Sequence, residues 1–231
     1  MATKDRPHPA LHIPHGNPSR MKNRRFDPKI MYPKNLSPDA IEVRDGPWTQ
    51  VGCPTRAKCI DCGQLHAHAG CLIIAVDGAC RNQDTATAAA AVGVFVGDGS
   101  DYNVSKLLST TETSTLQQAE LLAAFTALKK AQRIAVDCQV HGGLTLYQIV
   151  IKADSEYLVK GMTEWIFKWE KNGYKTSKGA AVSNAKLFKA LDKVVQRLNE
   201  SDVEVLFWQV PRGRNQDADR LANEALDRAG H

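Results

Sequence analysis

Two short apolar runs in this chain each lead into an aspartate, and this arrangement constrains the fold more than any other feature. Asp77 follows the apolar residues 72–76, and Asp154 follows residues 149–153. Short, continuously apolar runs that end at polar or turn residues are typical of buried strands. Because burying a carboxylate is costly without a partner, these aspartates are poor choices for packing alone. The pattern predicts two core strands that carry acidic side chains into a functional site.

Two further acids lie in helical stretches. Glu120 lies within residues 117–124, and Asp219 lies within residues 217–222. Carboxylates that are brought together repel one another unless a divalent cation neutralises them, and Mg²⁺ prefers oxygen ligands, including the phosphate oxygens of a substrate. A pair of such ions can hydrolyse a phosphodiester. The four acids therefore predict a nuclease that depends on Mg²⁺, with Mn²⁺ as an alternative metal.

The first 70 residues differ from the rest of the chain in charge and in proline content. They hold 11 Lys or Arg and 6 Asp or Glu, which accounts for the whole net charge of +5, and nine of the ten prolines lie at or before Pro54. Such a segment is typical of a basic arm near nucleic acid or of a solvated tail. We therefore expect a poorly ordered extension over residues 1–70 and a compact domain over residues 71–231.

The chain has no apolar run long enough to span a bilayer and no apolar core of a secretory signal. Its six cysteines are irregularly spaced and do not form the framework of a secreted disulfide-rich domain. We therefore expect an intracellular protein with no membrane partner, and we expect it to be a monomer. The sequence does not distinguish the cytoplasm, the nucleus and the mitochondrion.

From Cys71 onward, segments with strand character alternate with segments with helical character. A helix is predicted after Ser114 or Thr115, either of which can cap it. Strands are predicted at residues 72–76, 88–96, 106–109, 149–153 and 203–210, and further helices at residues 155–161, 162–171, 184–198 and 215–228. This order predicts an α/β fold in which a mixed sheet is flanked by helices.

The order of these elements, with acids at these points, resembles type 1 ribonuclease H over residues 71–229. The resemblance rests on residues 77–80, 115–124, 153–157, 163–175 and 215–222. It implies a ribonuclease H-like fold, with a five-stranded mixed sheet in which three antiparallel strands are followed by parallel strands. The flanking helices and the preceding poorly ordered segment complete the expected architecture.

The same resemblance implies an activity. The chain is expected to be an endonuclease that hydrolyses the RNA strand of RNA–DNA hybrids and leaves 5′-phosphate and 3′-hydroxyl ends. Two Mg²⁺ ions would take part, one activating the attacking water and the other stabilising the leaving 3′ oxygen. The implied ligands of these ions are Asp77, Glu120, Asp154 and Asp219.

Three groups of substrate contacts are also implied. Residues 80–83 correspond to the stretch that reads the 2′-hydroxyl, the group that distinguishes RNA from DNA. Two residues correspond to a pocket for a phosphate of the DNA strand, and residues 165–175 correspond to a basic protrusion that grips the hybrid. The expected contacts are Cys80, Asn82, Gln83, Thr115, Gln118, Trp165, Lys168, Lys171, Lys175, Asn184 and Gln209.

Several of these residues have an alternative role. Cys80 could equally be a small buried hydrophobe, and Thr115 could serve as the helix cap instead of, or besides, contacting a phosphate. Trp169 falls on the apolar face of its helix and is expected in the core. Trp165, with Phe188 beside it, is therefore the expected lining of the channel for the DNA strand.

Three positions depart from the family pattern. Gln209 stands where the family usually carries a histidine on the loop before the last helix, and an amide cannot titrate near neutrality. Leu116 replaces an asparagine that reads the minor groove, and Gln118 replaces an arginine. These changes leave open an attenuated protein that binds nucleic acid without cleaving it. A related exonuclease or integrase fits less well, because the protrusion is specific to the type 1 family.

A cluster of cysteines and histidines lies immediately before the expected domain. A Cys-x2-Cys pair is half of a tetrahedral zinc site, and other members of the cluster could complete it. Free cysteines in a linker are the alternative. The candidate zinc ligands are Cys53, Cys59, Cys62, His66, His68 and Cys71.

Overall fold

A computed structural model describes residues 23–230, apart from residues 35, 54–64, 84, 86, 110–114 and 141–144. A seven-stranded sheet forms the centre of this part of the chain. Its strands are β1 (Glu42–Asp45), β2 (Trp48–Gly52), β3 (Ala67–Arg81), β4 (Ala89–Phe95), β5 (Val104–Leu107), β6 (Gln148–Ala153) and β7 (Glu204–Gln209). The helices are α1 (Pro28–Met31), α2 (Leu116–Val140), α3 (Glu156–Lys160), α4 (Ile166–Asn172), α5 (Ala185–Glu200) and α6 (Gln216–Arg228).

Strands β3 to β7 form the predicted mixed sheet. β4 pairs with β3 and β5 pairs with β4 in antiparallel fashion, whereas β6 pairs with β3 and β7 pairs with β6 in parallel. Every residue of β4 and β6 is buried, because both faces of these strands are covered. Continuous apolar runs suit strands in that position. The predicted α/β fold and the order of its strands are confirmed.

β3 is longer than predicted, and it contains Asp77 rather than ending before it. The strand continues because its antiparallel pairing with β4 runs through Asp77↔Gly93 to Arg81↔Ala89. An Asp-Gly pair is a typical turn sequence, so the pattern ended this strand too early. Asp77 therefore projects from within a paired strand, which fixes the position of its backbone.

β1 and β2 were not predicted, and they extend the expected five strands to seven. The two strands form a hairpin, and β2 pairs with the first half of β3. Farther upstream, the Phe26 N–H donates to the Phe207 carbonyl oxygen at 2.9 Å. The Phe207 N–H in turn donates to the Arg24 carbonyl oxygen at 2.7 Å. The N-terminal extension, as residues 23–53 are called below, thus contacts the sheet at β3 and at β7.

The N-terminal extension covers one apolar face of the parallel strands. The Phe26 ring lies 5.2 Å from the Trp208 ring between centroids. Full burial of an apolar side chain of this size contributes about 1.5–3 kcal/mol, so this contact area stabilises the fold substantially. The buried residues that pack together here are Phe26, Tyr32, Ile41, Val51, Leu65, Cys71, Ile73, Val150, Leu206, Trp208 and Val210.

The remaining helices bury the other surfaces of the sheet. α2 and α5 lie on the face opposite the N-terminal extension and form the largest core cluster with the sheet. α6 packs over β3, β4 and β5, with Ala218 and Leu226 against small side chains of the strands. A π-helical turn, Gly161–Trp165, joins α3 to α4, so the predicted helical continuation through residue 171 is confirmed. None of the helices in the described residues is long and apolar enough to cross a membrane.

Candidate active site

Asp77 and Asp154 lie near each other because β3 and β6 are parallel neighbours. The register pairs Ala75 with Lys152, and each aspartate follows two residues later. Side chains two positions apart on a strand point to the same face, so the two aspartates leave the sheet at corresponding positions. The two strands therefore deliver both carboxylates to the same region, beside the carboxyl end of β6.

Two glycines let α2 and α6 approach the sheet closely. A Cβ on Gly78 would lie 2.3 Å from the backbone nitrogen of Glu120, and a Cβ on Gly93 would lie 2.0 Å from the carbonyl oxygen of Ala218. No side chain fits at these distances from a backbone atom, so glycine is required at both positions. Gly78 follows Asp77, and Gly93 is the cross-strand partner of Asp77. Both close approaches therefore bring a helix toward this aspartate.

The four acids interact electrostatically around Asp77. Burial raises the pKa of Asp77 to about 8, and the negative charges of Asp154, Asp219 and Glu120 add to the rise. Burial also raises the pKa of Glu120, a hydrogen bond from Ser155 lowers it, and Asp154 raises it again. Like charges raise a carboxyl pKa only when they lie close by. Asp154, Asp219 and Glu120 are therefore near enough to Asp77 to act on its charge, and the four acids are called the acidic cluster below.

Asn215 ties the loop before α6 to this cluster. Its side-chain nitrogen donates to Asp154 Oδ1 at 3.0 Å and to the carbonyl oxygen of Val76 at 2.8 Å. The residue is 1% exposed, so these hydrogen bonds are shielded from water. Asn215 therefore holds the Asp154 carboxylate in one orientation relative to the residue that precedes Asp77.

Two other carboxylates also have defined partners. Ser155 Oγ donates to Glu120 Oε2 at 2.5 Å, while the same oxygen caps α3 by accepting from Leu158 N. The Arg212 guanidinium donates to Asp219 Oδ1 at 3.2 Å. Ser155, Arg212 and Asn215 were not assigned roles from the sequence. Ser155 and Asn215 lie within the motifs that carried the resemblance, but only the fold shows which acid each contacts.

The cluster suits a hard divalent cation. All four acids offer carboxylate oxygens, the ligands that Mg²⁺ and Mn²⁺ accept, and their mutual repulsion favours a positive charge among them. Across the residues that the structure describes, no three His, Cys, Asp or Glu side chains stand close enough to form a preformed metal site. Three of the acids instead hold partners within the chain.

The sequence of the chain is similar to that of a known protein family. The sequence model of the RNase H family matches residues 69–227, which is more than half of the chain. The chain belongs to the RNase H family.

Relatives support this assignment over the same part of the chain. Ribonuclease H1 of Homo sapiens is 31% identical over 157 residues, covering 66% of this chain and 49% of that protein. Ribonuclease H of Pseudomonas entomophila (strain L48) is 34% identical over 160 residues, covering 67% of this chain and 92% of that protein. This chain thus spans about half the length of its mammalian relatives.

The fold is also similar to a solved structure, that of the foamy viral protease-reverse transcriptase in complex with RNA/DNA hybrid. The TM-score is 0.50 at 16% sequence identity, and the match covers 84% of this chain and 24% of that chain. At this identity the likeness concerns the fold alone.

The residues expected to read the RNA strand follow Asp77 along the chain, and Thr115, which is expected to contact a phosphate of the DNA strand, directly precedes α2. Cys80 is half-buried against the main core, and Asn82 adopts a left-handed conformation with φ of 51° at the end of β3. Gln83 Oε1 accepts from the backbone N–H of Leu116, the first residue of α2. Thr115 Oγ1 accepts from the Gln118 N–H at 3.3 Å, so its predicted role as a helix cap is confirmed. Their contacts with substrate stay predictions.

The aromatic residues of the predicted protrusion pack mainly on one another. Trp169 lies 5.0 Å from the fully buried Phe188 ring, which agrees with its expected place in the core. Trp165 contacts Tyr157 and Trp169. Phe188 packs against the same two rings and is fully buried, so it does not line a channel as expected. Trp165 is half-buried, as are Tyr157, Trp169 and Tyr174, so a contact of Trp165 with the DNA strand stays a prediction.

The polar residues expected in the protrusion and the phosphate pocket have different degrees of exposure. Lys168, Lys171 and Lys175 are exposed, with the first two on α4 and the third just after it. Asn184 precedes α5 in a left-handed conformation, and its side-chain nitrogen donates to Tyr157 Oη at 3.3 Å. This bond holds the Asn184 amide beside α3, and a phosphate contact stays a prediction.

Gln209 is the last residue of β7, where it is exposed and pairs with Ala153. Ala153 directly precedes Asp154, so Gln209 lies at the end of β7, next to the end of the strand that leads into Asp154. The loop that was expected to carry this position begins one residue later, at Val210. The correspondence of Gln209 to the histidine of RNase H stays a prediction.

The candidate zinc ligands are described only in part. Cys59 and Cys62 lie outside the described residues. Cys71 Sγ lies 3.7 Å from His68 Nδ1. Burial raises the pKa of Cys71 to about 12, and the negative charges of Glu204 and Cys53 add to the rise. His66 is exposed. Zinc binding by this cluster stays a prediction.

The raised pKa of Asp77 predicts an unusual pH dependence of stability. The unfolded chain has an ordinary carboxyl pKa near 3.8, whereas the folded, metal-free chain retains the proton up to about pH 8. The folded state thus binds more protons in this window, so its stability falls as the pH rises from about 4 to about 8. We expect a loss on the order of 2 kcal/mol from this group, allowing for its partial exposure.

Urea unfolding with EDTA at pH 5 and at pH 8 measures this loss. Asp77→Asn removes the titrating group, so its stability should depend less on pH than that of the wild type. Parallel pH dependences of the two proteins would contradict the assignment of the raised pKa to Asp77.

Proposed function

We propose that this chain is an endonuclease that hydrolyses the RNA strand of RNA–DNA hybrids with two divalent cations bound at Asp77, Glu120, Asp154 and Asp219. The observation that carries this proposal is the placement of Asp77 and Asp154 at corresponding positions of the parallel neighbours β3 and β6, with α2 and α6 held close to Asp77 at Gly78 and Gly93. A cluster of mutually repelling carboxylates lowers stability without a cation, and it is therefore an arrangement suited to catalysis rather than to packing. Membership of the RNase H family supports the same function.

Neighbouring residues hold two of the acids in defined orientations through hydrogen bonds. Asn215 orients Asp154, and Ser155 orients Glu120 while capping α3. When bound, Mg²⁺ or Mn²⁺ supplies an activated water and neutralises charge at the leaving 3′ oxygen. The products would then carry 5′-phosphate and 3′-hydroxyl ends, and the hybrid would be bound by a monomer.

Recognition of the hybrid would combine two kinds of contact. Asn82 and Gln83, which follow the strand that carries Asp77, would contact the 2′-hydroxyl of the RNA strand. The exposed lysines of the protrusion would neutralise phosphates without reading sequence. This division implies specificity for the hybrid rather than for a base sequence.

A panel of labelled substrates tests the proposed function. Purified protein is incubated with Mg²⁺ and an RNA–DNA hybrid, double-stranded RNA, double-stranded DNA or single-stranded RNA of the same sequence. We expect cleavage of the RNA strand of the hybrid only. Binding of the hybrid without cleavage would instead identify an attenuated binding protein, the alternative that Gln209 and Leu116 leave open.

The three lysines of the protrusion are expected to contribute binding rather than chemistry. Replacing Lys168, Lys171 and Lys175 with alanine should weaken hybrid binding and reduce the log–log slope of affinity against salt by roughly 0.7 to 0.9 per lost phosphate contact. The cleavage rate at saturating hybrid should be nearly unchanged, because the acids lie on other elements.

Two comparisons control this experiment. Alanine at Lys129, Lys130 and Arg133 removes the same charge from α2 and should leave the salt slope unchanged. Deletion of residues 1–22, which hold four Lys or Arg, tests whether these residues bind the hybrid instead. The deletion leaves the N-terminal extension, residues 23–53, in place. An unaltered slope in the lysine variant, with a reduced slope in the deletion, would overturn the prediction.

Gln209→His should raise turnover if Gln209 occupies the position of the family's histidine. Imidazole adds a group that titrates near neutrality at the end of the strand beside Asp154, where it can carry a proton. Hybrid affinity should change little. Single-turnover and steady-state rates are compared, and no gain in either would show that the position does not serve this role.

A further inference from the structure

The N-terminal extension holds the segment that leads into α6. Residues 212–217, called the α6 loop below, contain the 3₁₀ turn Arg212–Arg214 and the start of α6. Asp39 Oδ2 accepts from the Arg214 guanidinium at 2.9 Å, and Arg44 pairs with Asp217. Both contacts join residues more than 170 positions apart in the sequence. The two ion pairs therefore fix the outer side of the α6 loop.

The inner side of the α6 loop contacts the acidic cluster. Arg212 donates to Asp219, and Asn215 donates to Asp154. Residues that face the N-terminal extension thus alternate along the α6 loop with residues that face the acids. Any movement of the loop away from the extension would carry Asn215 and the first turn of α6 with it.

Arg44 is itself held in place from two directions. Its guanidinium carbon lies 5.1 Å from the centre of the Phe95 ring, and its Nη1 lies 3.7 Å from Asp98 Oδ1 in an ion pair. Phe95 is buried in β4, so the cation lies over a fixed surface. Arg44 therefore links Asp217 to β4 of the sheet.

A pocket of about 300 Å³ lies between the N-terminal extension and the α6 loop, and charged groups from both sides line it, among them Asp39, Arg44, Arg214 and Asp217. Since the space is open, ion pairs rather than close packing connect the two segments. The position of the α6 loop should thus respond to the loss of these charges.

We propose that Asp39 and Arg44 are positioning residues of the active site, because they hold the α6 loop where Asn215 and Asp219 complete the acidic cluster. This inference rests on the function proposed above. It assigns a catalytic consequence to an N-terminal extension that lies outside the residues matched by the family. The extension would then be part of the working active site and not only a cover for the sheet.

The expected effect on rate is larger than the effect on stability. Exposed ion pairs contribute little to the free energy of folding, because water screens them. A displacement of about 1 Å in a catalytic group can nevertheless lower a rate by roughly 10²-fold. Loss of both ion pairs should therefore lower kcat without unfolding the protein.

The test compares Asp39→Ala, Arg44→Ala and the double variant with Arg133→Ala. Arg133 forms an exposed ion pair with Asp137 on α2, remote from the acids, and so provides a matched arginine deletion. We expect the double variant to lose about 10-fold in kcat, while the KM for hybrid changes less than about 2-fold. The Mg²⁺ concentration for half-maximal rate should rise. Arg133→Ala should keep the wild-type values.

A charge swap separates positioning from a general structural effect. Asp39→Arg alone places two arginines together and should lower kcat, whereas Asp39→Arg combined with Arg214→Asp should restore most of the rate. Hydrogen exchange of the amides in residues 212–219 provides a readout that does not depend on activity. Exchange should be faster in the double alanine variant and unchanged in Arg133→Ala.

The outcomes distinguish this inference from the proposed function. Unchanged kcat and unchanged exchange in the double variant would overturn the inference while leaving an active nuclease. Equal loss of kcat in Arg133→Ala, or no rescue by the charge swap, would also overturn it. A wild-type protein that cleaves no hybrid would refute the proposed function, and faster exchange at residues 212–219 would then still support the structural coupling.

Discussion

Replacing Asp77 with asparagine is expected to abolish hybrid cleavage, with a loss of about 10³-fold or more in the single-turnover rate. Burial raises the pKa of Asp77 to about 8, and the negative charges of the other three acids add to the rise. Asparagine keeps the shape of the side chain but cannot carry the charge that attracts a divalent cation. Asp154→Asn should behave in the same way.

The fold of this variant should survive. Removing one of four repelling charges stabilises the metal-free protein, so thermal unfolding in EDTA at pH 8 should occur at an equal or higher temperature. Asp101→Asn, which removes an exposed aspartate from a turn, serves as the matched control and should retain the wild-type rate. Mg²⁺-dependent cleavage by Asp77→Asn at a rate close to that of the wild type would refute the catalytic assignment.

Glu42→Ala is expected to destabilise the protein by about 3 kcal/mol or more, because it leaves a buried ammonium without a partner. Lys152 is 4% exposed on the face of β6 that the N-terminal extension covers, and its Nζ lies 2.7 and 2.9 Å from the two carboxylate oxygens of Glu42. For a chain of this length, such a loss corresponds to a fall in Tm of roughly 6–12 °C. Thermal unfolding followed by circular dichroism measures it.

The paired variant shows whether the unpaired charge is the cause. Glu42→Leu combined with Lys152→Met replaces the ion pair with apolar groups and should recover most of the lost stability. Arg133→Ala breaks an exposed ion pair and should change the stability by less than about 1 kcal/mol. If the double variant were as unstable as Glu42→Ala, the loss would come from the packing of β1 rather than from the charge.

The parts of the fold that the sequence predicted are those set by local pattern. The apolar runs that form β3, β4, β6 and β7 bury both of their faces, and continuous burial leaves a signal that a short window detects. The amphipathic pattern of α5 and α6 likewise follows from one buried face. The four acids were found because each stands in a distinct local context.

The hairpin of β1 and β2 was not predicted because its stability comes from distant partners. β1 reads Glu-Val-Arg-Asp, and half of it is exposed, so it shows neither a buried run nor a clear alternation. It forms because β2 pairs with β3 and because Glu42 meets Lys152, which is 110 residues away. Phe26 and Tyr32 lie among prolines, and that composition suggested a poorly ordered segment.

The sequence indicated the acidic residues of the candidate site but not the residues that contact them. Asp77 was expected after a strand, and it lies within one because its pairing with Gly93 continues the ladder. The contacts made by Asn215 and Arg212 depend on where the α6 loop passes the acids. A local sequence pattern cannot predict such a contact, because the two residues are brought together only when the chain folds.

The ends of the cleaved RNA test the central claim most directly. A hybrid with labelled RNA is cleaved in Mg²⁺, and the products are examined for a 5′-phosphate and a 3′-hydroxyl by their response to phosphatase and to ligation, with an EDTA-treated sample beside them. Hydrolysis at the four carboxylates predicts 5′-phosphate and 3′-hydroxyl ends and no cleavage in EDTA. Products with 2′,3′-cyclic phosphate ends, formed equally well in EDTA, would contradict it.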